Sequence, residues 1–440
     1  MSRRRRLSVS AHQRYLQRED GSPFFYLGDT AWELFHRLSR EEADRYLQDR
    51  AAKGFTAIQG VVLAEIDGLS TPNAEGHLPL VDRDPSQPNE PYFSLVDHVV
   101  RRCNELGMFC AMLPTWGDKW TNAWGQNNVI FDAESAHDFG RFLAMRYQDA
   151  DIIWVLGGDR PIDTQEHRDV IRSMARGIRS VVGNAHLITF HPKGGRSSCD
   201  EWPDEDWLDF HMLQSGHCGV EVPNYDMVAK DYAHSPTKPC MDGEPRYEDH
   251  PIMTPEWKTT PQRFGAWDAR KAAYHSLFSG AHGHTYGCHD IWQMWDHHRE
   301  MINRPCRPWH EALSLPGASQ MRHAKNLLLS RPYFTRVPDN RIVLDSFAGG
   351  KVIGTRDSEG SFLMVYLPEG GYVDVDQTGL TGPDVHAWWF DPRTGDALDL
   401  GAMTRDGSQG YESPNAGVGS DWILVVDDAS RDFPPPGTMA

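Results

Sequence analysis

Two carboxylates stand where apolar stretches of the chain end, and together they could cleave a glycosidic bond. Asp159 closes the stretch "IIWVLGGDR", and Glu244 lies in "PCMDGEPRYED", where four carboxylates fall within eight residues. Glycoside hydrolysis needs one carboxyl group to protonate the leaving oxygen and a second to act as nucleophile or base. A solvated acidic loop is the alternative interpretation, and either motif alone is weak evidence of catalysis.

The two groups need different environments to perform these roles. The proton donor must be kept neutral by burial or a like charge, and the other carboxylate must be kept ionised by hydrogen bonds or a cation. Arg246 is expected to keep Glu244 charged, and Arg160 is similarly placed beside Asp159. The other carboxylates of the acidic loop are expected to shape the loop or its charge: Asp242, Glu248 and Asp249.

The elements that position these residues alternate along the chain. Eight short apolar runs end in polar residues, at 23–32, 55–63, 108–117, 152–160, 186–192, 208–217, 239–245 and 281–287. Helix-like segments lie between them, at 39–54, 93–107, 133–149, 167–183 and 261–280. Apolar runs of this kind suit strands buried on both faces of a parallel sheet. The pattern predicts an α/β fold, a (β/α)8 TIM barrel; an open doubly wound sheet is the alternative, but no GxGxxG follows the first strand.

The pattern changes after residue 330. Short alternating segments separated by turn dipeptides follow, for example "SFLMVYLPEGGYVDVD" and "HAWWFDPRTGDALDLG". Such segments predict an antiparallel β-sandwich. We therefore expect a catalytic barrel over 1–330, an accessory β-sandwich over 331–430 and a disordered tail over 431–440.

Composition excludes several classes of function. The net charge of −18 argues against a nucleic-acid partner, and no apolar stretch is long enough to span a membrane. Seven cysteines at irregular positions, without a CxxC pair, predict reduced thiols and a cytoplasmic location. The start "MSRRRR" is not followed by an apolar segment, so no secretory signal is expected, and these arginines are expected to be disordered. The oligomeric state stays open.

The barrel prediction selects candidate substrate-binding residues, because reactive side chains lie at the carboxyl ends of barrel strands. These candidates are Asp29, Trp32, Gln59, Trp116, His191, Gln214, His217 and Tyr286. Aromatic faces beside carboxylates suit sugars, whose C–H faces stack on rings while their hydroxyls take hydrogen bonds. Filling of the core is the alternative role for any single tryptophan.

Histidines are dense between residues 191 and 289, which raises the alternative of a metal-dependent hydrolase. The pair His282 and His284 forms an HxH, but no HExxH occurs. As neutral donors these histidines suit a polar sugar pocket equally well. No GxSxG occurs either, so serine catalysis is disfavoured. We expect no metal and no cofactor.

The segments that carry these residues resemble the apiosidase family of glycoside hydrolases, of the glycoside hydrolase family 140 type. The likeness runs through "PFFYLGDTAWELFHRLS", "IIWVLGGDR", "WLDFHMLQSGH", "KPCMDGEPRYE" and "GAHGHTYG" and covers roughly residues 8–330. The resemblance implies a (β/α)8 barrel followed by a C-terminal β-sandwich. It also implies that Asp159 is the acid/base and Glu244 the nucleophile.

The resulting hypothesis is a glycoside hydrolase that acts on a small carbohydrate. The resemblance implies a retaining enzyme that releases apiose or a related sugar from plant-derived glycosides or oligosaccharides. Since no export signal is seen, the substrate is expected to be a small glycoside imported into the cell. A non-catalytic carbohydrate-binding protein on the same scaffold and the metal-dependent hydrolase remain the alternatives.

Overall fold

The computed structural model describes residues 5–438, and residues 1–4 and 439–440 lie outside this range. Its main sheet contains eight parallel strands, which are labelled in chain order: β1 Tyr26–Thr30, β2 Ala57–Leu63, β3 Phe109–Thr115, β4 Ile152–Gly157, β5 Leu187–His191, β6 His211–Gln214, β7 Cys240–Asp242 and β8 Gly283–Tyr286. Three short antiparallel strands precede them, at Leu7–Val9, Leu16–Arg18 and Pro23–Phe24.

The eight strands form a nearly closed barrel. Their order across the sheet is β5-β4-β3-β2-β1-β8-β7-β6, all in parallel. The ring closes between β5 and β6 where Asp209 N donates to Ile188 O at 2.8 Å. Above that point a short strand, Arg196–Ser197, pairs antiparallel with the end of β6. The predicted TIM-barrel fold is confirmed, and the carboxyl ends of all eight strands meet at one mouth.

Helices on the outside cover the barrel. The long ones are α1 Arg40–Ala52, α2 Glu90–Glu105, α3 Ala133–Tyr147, α4 Gln165–Val182, α5 Asn224–Ala233, α6 Ala266–Phe278 and α7 Pro316–Leu329. Single-turn helices occur at Leu34–Arg37, Ser198–Glu201, His289–Trp292 and Trp309–Ala312. None of the helices within residues 5–438 is long and apolar enough to cross a membrane.

Helix α1 begins where the sequence pattern predicts, whereas α6 begins later than predicted. Ser39 accepts from Glu42 N at 3.3 Å, and Glu42 Oε2 accepts from Ser39 N at 2.9 Å, which completes a capping box. The helix expected over 261–280 begins only at Ala266, because Thr259–Arg263 forms a hairpin with Pro251–Met253. Pairing across this hairpin overrides the local helical pattern.

The C-terminal part consists of antiparallel sheets. Its strands are β9 Arg336–Pro338, β10 Val343–Ser346, β11 Ile353–Asp357, β12 Phe362–Leu367, β13 Gly370–Asp376, β14 Asp384–Phe390, β15 Ala397–Thr404, β16 Ser408–Ala416 and β17 Trp422–Asp428. One sheet has the order β9-β11-β12-β17-β14-β15 and the other β10-β13-β16. Alternating apolar residues of both sheets form one cluster, as in a sandwich.

Buried ion pairs join the barrel to the C-terminal sheets. Arg270 on α6 binds Asp421 through two nitrogens, at 2.9 and 2.7 Å. Arg331, just after α7, binds Asp427 in the same way at 2.8 and 2.7 Å. These charges are nearly inaccessible to water, so each carboxylate depends on its arginine.

Both ends of the described chain make contacts. Arg5 Nε lies 2.6 Å from Asp151 Oδ2, so the disorder expected for the arginine run does not extend to Arg5. Near the other end Phe433 lies under the guanidinium of Arg331, and Gly437 N donates to Ser330 Oγ at 3.0 Å. The disorder expected over 431–440 stays a prediction, and its last two residues lie outside the described range.

Candidate active site

Asp159 lies at the end of β4 on a turn that packs tightly against both neighbouring strands. Gly157, Gly158 and Asp159 all have positive φ, at 94°, 109° and 46°. A Cβ on Gly157 would lie 2.4 Å from the backbone oxygen of His191, and one on Gly158 would lie 2.9 Å from Gly117 N. The two glycines are therefore required, and the left-handed Asp159 is an energetically costly conformation of the kind found at functional sites.

Glu244 follows β7 and is held by backbone contacts from its neighbours. Gly243 N donates to Leu213 O at 2.8 Å, and Gly216 N donates to Glu244 O at 3.0 Å. From inside the barrel, Gln59 Nε2 donates to Gly243 O at 3.2 Å. The backbone around Glu244 is thereby fixed relative to β6 and β2.

Two imidazoles bracket the Glu244 carboxylate. His217 Nε2 donates to Oε1 at 3.1 Å, and His191 Nε2 lies 3.0 Å from Oε2. Burial raises the pKa of Glu244, but the two imidazoles outweigh burial and lower this pKa to about 2. Glu244 is therefore ionised at neutral pH.

Asp159 has the opposite electrostatic environment. Burial, and next the negative charge of Glu244, raise the pKa of Asp159 to about 7. Its carboxylate accepts from Gly194 N at 3.0 Å, whereas Arg160 Nη1 lies 3.8 Å from Oδ2. The Arg160 guanidinium is instead directed to Glu65, at 2.6 Å. Asp159 thus carries its proton up to about neutral pH.

Three further predicted residues lie around this pair, beside His191 and His217. Trp32, Trp116 and His191 form a cluster of rings with centroids 5.1 to 5.7 Å apart. Gln214 ends β6, and its backbone oxygen accepts from Gly195 N at 2.8 Å, beside the loop that binds Asp159. The structure therefore brings Trp32, Trp116, His191, Gln214 and His217 to the mouth together with both carboxylates.

Three predicted residues do not lie at the mouth. The Asp29 carboxylate faces α1, where it accepts from Tyr46 and from Arg50 at 2.5 Å each. Tyr286 points outward as well and donates to Glu248 at 2.6 Å. Gln59 lies inside the barrel beneath Glu244 and donates to the backbone oxygen of Gly243. Each of these side chains is engaged within the protein.

The expected role of Arg246 is wrong. Its Nη2 donates to Val222 O at 3.2 Å and its guanidinium lies over the Phe264 ring, so the imidazoles rather than Arg246 hold Glu244 ionised. The other carboxylates of the acidic loop have structural partners. Asp242 accepts from Ser215 Oγ, Glu248 accepts from Tyr286 and Gly317 N, and Asp249 forms an ion pair with Arg307.

Sequence reasoning missed a second layer of residues behind Glu244. The Tyr247 ring lies 4.4 Å from that of His217, and burial, followed by the Glu244 charge, raises the pKa of Tyr247 well above its usual value. His250 stacks on His217 at 4.2 Å, and His289 contacts His250 at 4.3 Å. The density of histidines between residues 191 and 289 and the spacing of Tyr247 and His250 after Glu244 in "GEPRYEDH" are the signals that could have indicated them.

The histidines at the mouth of the barrel belong to neither of the two groups of side chains, within residues 5–438, that could bind a metal ion. Within residues 5–438, two groups of three side chains could hold an ion: Cys199, His211 and His234, and Asp249, Asp290 and Cys306. Neither group contains His191, His217 or the two carboxylates. Asp159 and Glu244 therefore stand at the mouth apart from both of these groups.

Comparisons with known proteins agree with this geometry. Residues 10–335 match the apiosidase-like catalytic domain, and residues 337–427 match a domain described as "Putative collagen-binding domain of a collagenase". A solved structure described as a glycoside hydrolase has a TM-score of 0.87 and 31% identity, covering 97% of either chain. A glycoside hydrolase family 5 protein from Bacteroides vulgatus ATCC 8482 has a TM-score of 0.88 and 31% identity, covering 99% of this chain and 96% of that one. Among curated proteins, none matches this chain.

The family match and the two solved structures show a glycoside hydrolase, which confirms the predicted class of enzyme. Within that class, the chain belongs to the apiosidase-like family, as its resemblance implied.

Proposed function

We propose that the protein is a retaining glycosidase in which Asp159 is the acid/base and Glu244 the nucleophile. The observation that carries the proposal is the contrast between the contacts of the two carboxylates. Imidazole nitrogens of His191 and His217 lie 3.0 and 3.1 Å from Glu244 and keep its pKa low. The nearest Arg160 nitrogen lies 3.8 Å from Asp159, whose pKa is raised by burial and by the charge of Glu244. Neutral Asp159 donates its proton to the leaving oxygen while ionised Glu244 attacks the anomeric carbon. The Asp159 carboxylate then takes a proton from the water that releases the sugar from Glu244.

The proposed substrate is a small plant-derived glycoside or oligosaccharide that ends in apiose or a related sugar. Family membership supports this choice, as do polar atoms around Glu244. Trp116 Nε1, Gln214 Oε1 and His217 Nδ1 are buried and make no hydrogen bond within residues 5–438. Buried polar groups need partners, and sugar hydroxyls would supply them while the sugar ring packs on Trp32 or Trp116.

The test combines a substrate panel with two readouts of mechanism. Glycosides that differ in the terminal sugar are incubated with the enzyme, and the released sugar is identified. Proton NMR of the first product is expected to show the anomer of the substrate. An activated 2-fluoro glycoside is expected to label Glu244, and a Glu244→Gln variant is expected to stay unlabelled. An inverted first product, or a label on another residue, would overturn the assigned roles.

We also propose that the enzyme acts in the cytoplasm on imported glycosides and without a nucleic-acid partner. All seven cysteines are free, which fits a reducing compartment, and the net charge of −18 disfavours binding to phosphates. Fractionation of producing cells is expected to place the activity in the cell interior. Recovery of the activity from the culture medium would contradict this location.

A further inference from the structure

Two tryptophans are much more exposed to solvent than the other tryptophans of the protein. All fifteen tryptophans lie within the described residues, and only Trp124 and Trp257 are exposed, at 56% and 63%. Both stand on loops at the mouth of the barrel, Trp124 between β3 and α3 and Trp257 on the hairpin between β7 and α6. Large aromatic rings left open to water beside a catalytic mouth indicate a binding surface.

Trp257 borders Asp159 on the β5 side. It stands at the tip of the hairpin with φ of 61°, and Trp257 N donates to Thr254 O at 2.9 Å. Its ring reaches the loop after β5, where a Cβ on Gly194 would lie 3.3 Å from Trp257 Cη2. Gly194 N is the group that binds the Asp159 carboxylate, at 3.0 Å. One backbone group therefore separates the exposed ring from the proposed acid.

Trp124 borders Asp159 on the β3 side. The Arg160 guanidinium lies 3.6 Å from the centre of the Trp124 ring, and Arg160 Nη1 donates to Asp159 O at 2.9 Å. Gln126, on the same loop, accepts from Arg160 at 2.9 Å. Gln126 also lines a cavity of about 310 Å³ together with Glu65 and Asn128.

The two carboxylates thus have different surroundings. Around Glu244 the rings of Trp32, Trp116 and His191 are at most 3% exposed, so the Glu244 side of the mouth is enclosed. Around Asp159 the rings of Trp124 and Trp257 are exposed, and the buried Trp116 packs against the turn at Gly158, so this side is open at the two exposed rings. In glycoside hydrolysis the acid contacts the oxygen of the leaving group, whereas the nucleophile contacts the sugar that is released.

We infer that Trp124 and Trp257 form two ring platforms that bind the leaving group of the substrate on either side of Asp159. The inference rests on the proposed function, because it uses the role of Asp159 as the acid. The enclosed side accepts a terminal sugar, and the open side accepts a leaving group with a flat ring face. That ring belongs to a second sugar or to an aromatic aglycone, and both present the same stacking chemistry.

The test uses three glycosides of the same terminal sugar, with methyl, phenyl and monosaccharide leaving groups. Trp124→Ala and Trp257→Ala are expected to lower kcat/KM about tenfold for the phenyl glycoside or the disaccharide, mainly through KM. Turnover of the methyl glycoside is expected to stay unchanged, which shows that the catalytic pair is intact. If the loss of kcat/KM is larger for the phenyl glycoside, the leaving group is aromatic, and if it is larger for the disaccharide, the leaving group is a sugar. Trp257→Phe is expected to restore part of the lost kcat/KM.

Phe347→Ala serves as the matched control, because Phe347 is 77% exposed but lies in the C-terminal sheets. Equal losses on all three glycosides, no loss on any, or the same pattern in Phe347→Ala would overturn the inference. If the unsubstituted enzyme cleaved no glycoside of the wider sugar panel, the proposed function itself would be refuted, and the inference with it.

Discussion

The mouth of the barrel and the junction with the C-terminal sheets both bury carboxylates beside arginines, but they use them differently. At the junction, Asp421 and Asp427 each receive two guanidinium nitrogens at 2.7 to 2.9 Å. At the mouth, Arg160 is directed to Glu65 and leaves Asp159 with a nitrogen 3.8 Å away. Bidentate pairing with an arginine keeps a carboxylate ionised. The single, longer contact with Arg160 allows Asp159 to bind and release a proton.

This difference separates residues that hold the fold from the residues to which we assign the chemistry. Glu244 is a third case, since imidazoles rather than a guanidinium keep it ionised. The comparison therefore predicts large effects on activity at the mouth and large effects on stability at the junction.

The largest expected effect is that of Glu244→Gln. Without a nucleophile, kcat is expected to fall on the order of 10⁴-fold or more, with the fold retained. The measurement is turnover of the substrate found in the panel, together with the circular dichroism spectrum. Glu248→Gln is the matched control, because Glu248 binds Tyr286 and Gly317 N and should affect stability more than turnover. Similar turnover in the two variants would remove the role assigned to Glu244.

Asp159→Asn is expected to lower kcat/KM by about 10²–10⁴-fold. The loss should shrink with a nitrophenolate leaving group, which departs without a proton. Since Asp159 must be protonated and its pKa is about 7, activity of the unsubstituted enzyme should fall as pH rises through about 7. The variant should lack this alkaline limb. An unchanged alkaline limb in Asp159→Asn would assign the acid to another residue.

The same raised pKa predicts a gain in stability. The folded state holds the Asp159 proton more tightly than the unfolded chain, so ionisation costs folding free energy increasingly between the ordinary Asp pKa and about 7. Asp159→Asn removes this cost. Its Tm should therefore exceed that of the unsubstituted enzyme at pH 8 and match it at pH 4. An equal difference at both pH values would indicate an origin other than charge.

At the junction, Arg270→Ala is expected to destabilise the protein by about 3–5 kcal/mol, because it leaves Asp421 buried without its partner. Urea unfolding measures the loss, and turnover of the protein that remains folded should be unchanged. The double variant Arg270→Met with Asp421→Leu should recover much of the stability, since no unpaired charge remains. A double variant as unstable as Arg270→Ala would show that packing, rather than charge, dominates the junction.

The sequence was sufficient for the barrel, because strand ends and apolar runs are local signals. It also placed Asp159 and Glu244 after strand ends, whereas their catalytic roles stay a prediction. It was not sufficient for the direction of each side chain. Asp29 and Tyr286 face outward from the barrel. Their neighbours Thr30 and Thr285 are buried as well, so burial at a strand end does not reveal which way a side chain points. Side chains alternate along a strand, so an error of one residue in reading its end reverses the face.

Contacts between distant segments were also beyond local patterns. His191 and His217 meet Glu244 only because β5, β6 and β7 are neighbours around the barrel, and this arrangement sets the pKa of Glu244. By contrast, Arg246 is two residues from Glu244 in sequence, yet it is directed elsewhere. Proximity in sequence therefore did not predict which charged or hydrogen-bonding side chain sets the pKa of a carboxylate.

The smallest expected effect distinguishes the contributions of the two imidazoles. In His217→Ala, Glu244 loses one hydrogen bond to its charged form, which is worth about 1.5–3 kcal/mol or roughly one to two pKa units. The acid limb of kcat/KM should therefore move upward from its low value. His217→Gln restores an N–H donor without a positive charge, so it separates the two causes. If His217→Gln returns the acid limb to its original position, the hydrogen bond carries the effect; if it behaves like His217→Ala, the charge of the imidazole does. An acid limb that stays in place in both variants would assign the low pKa of Glu244 to His191 alone.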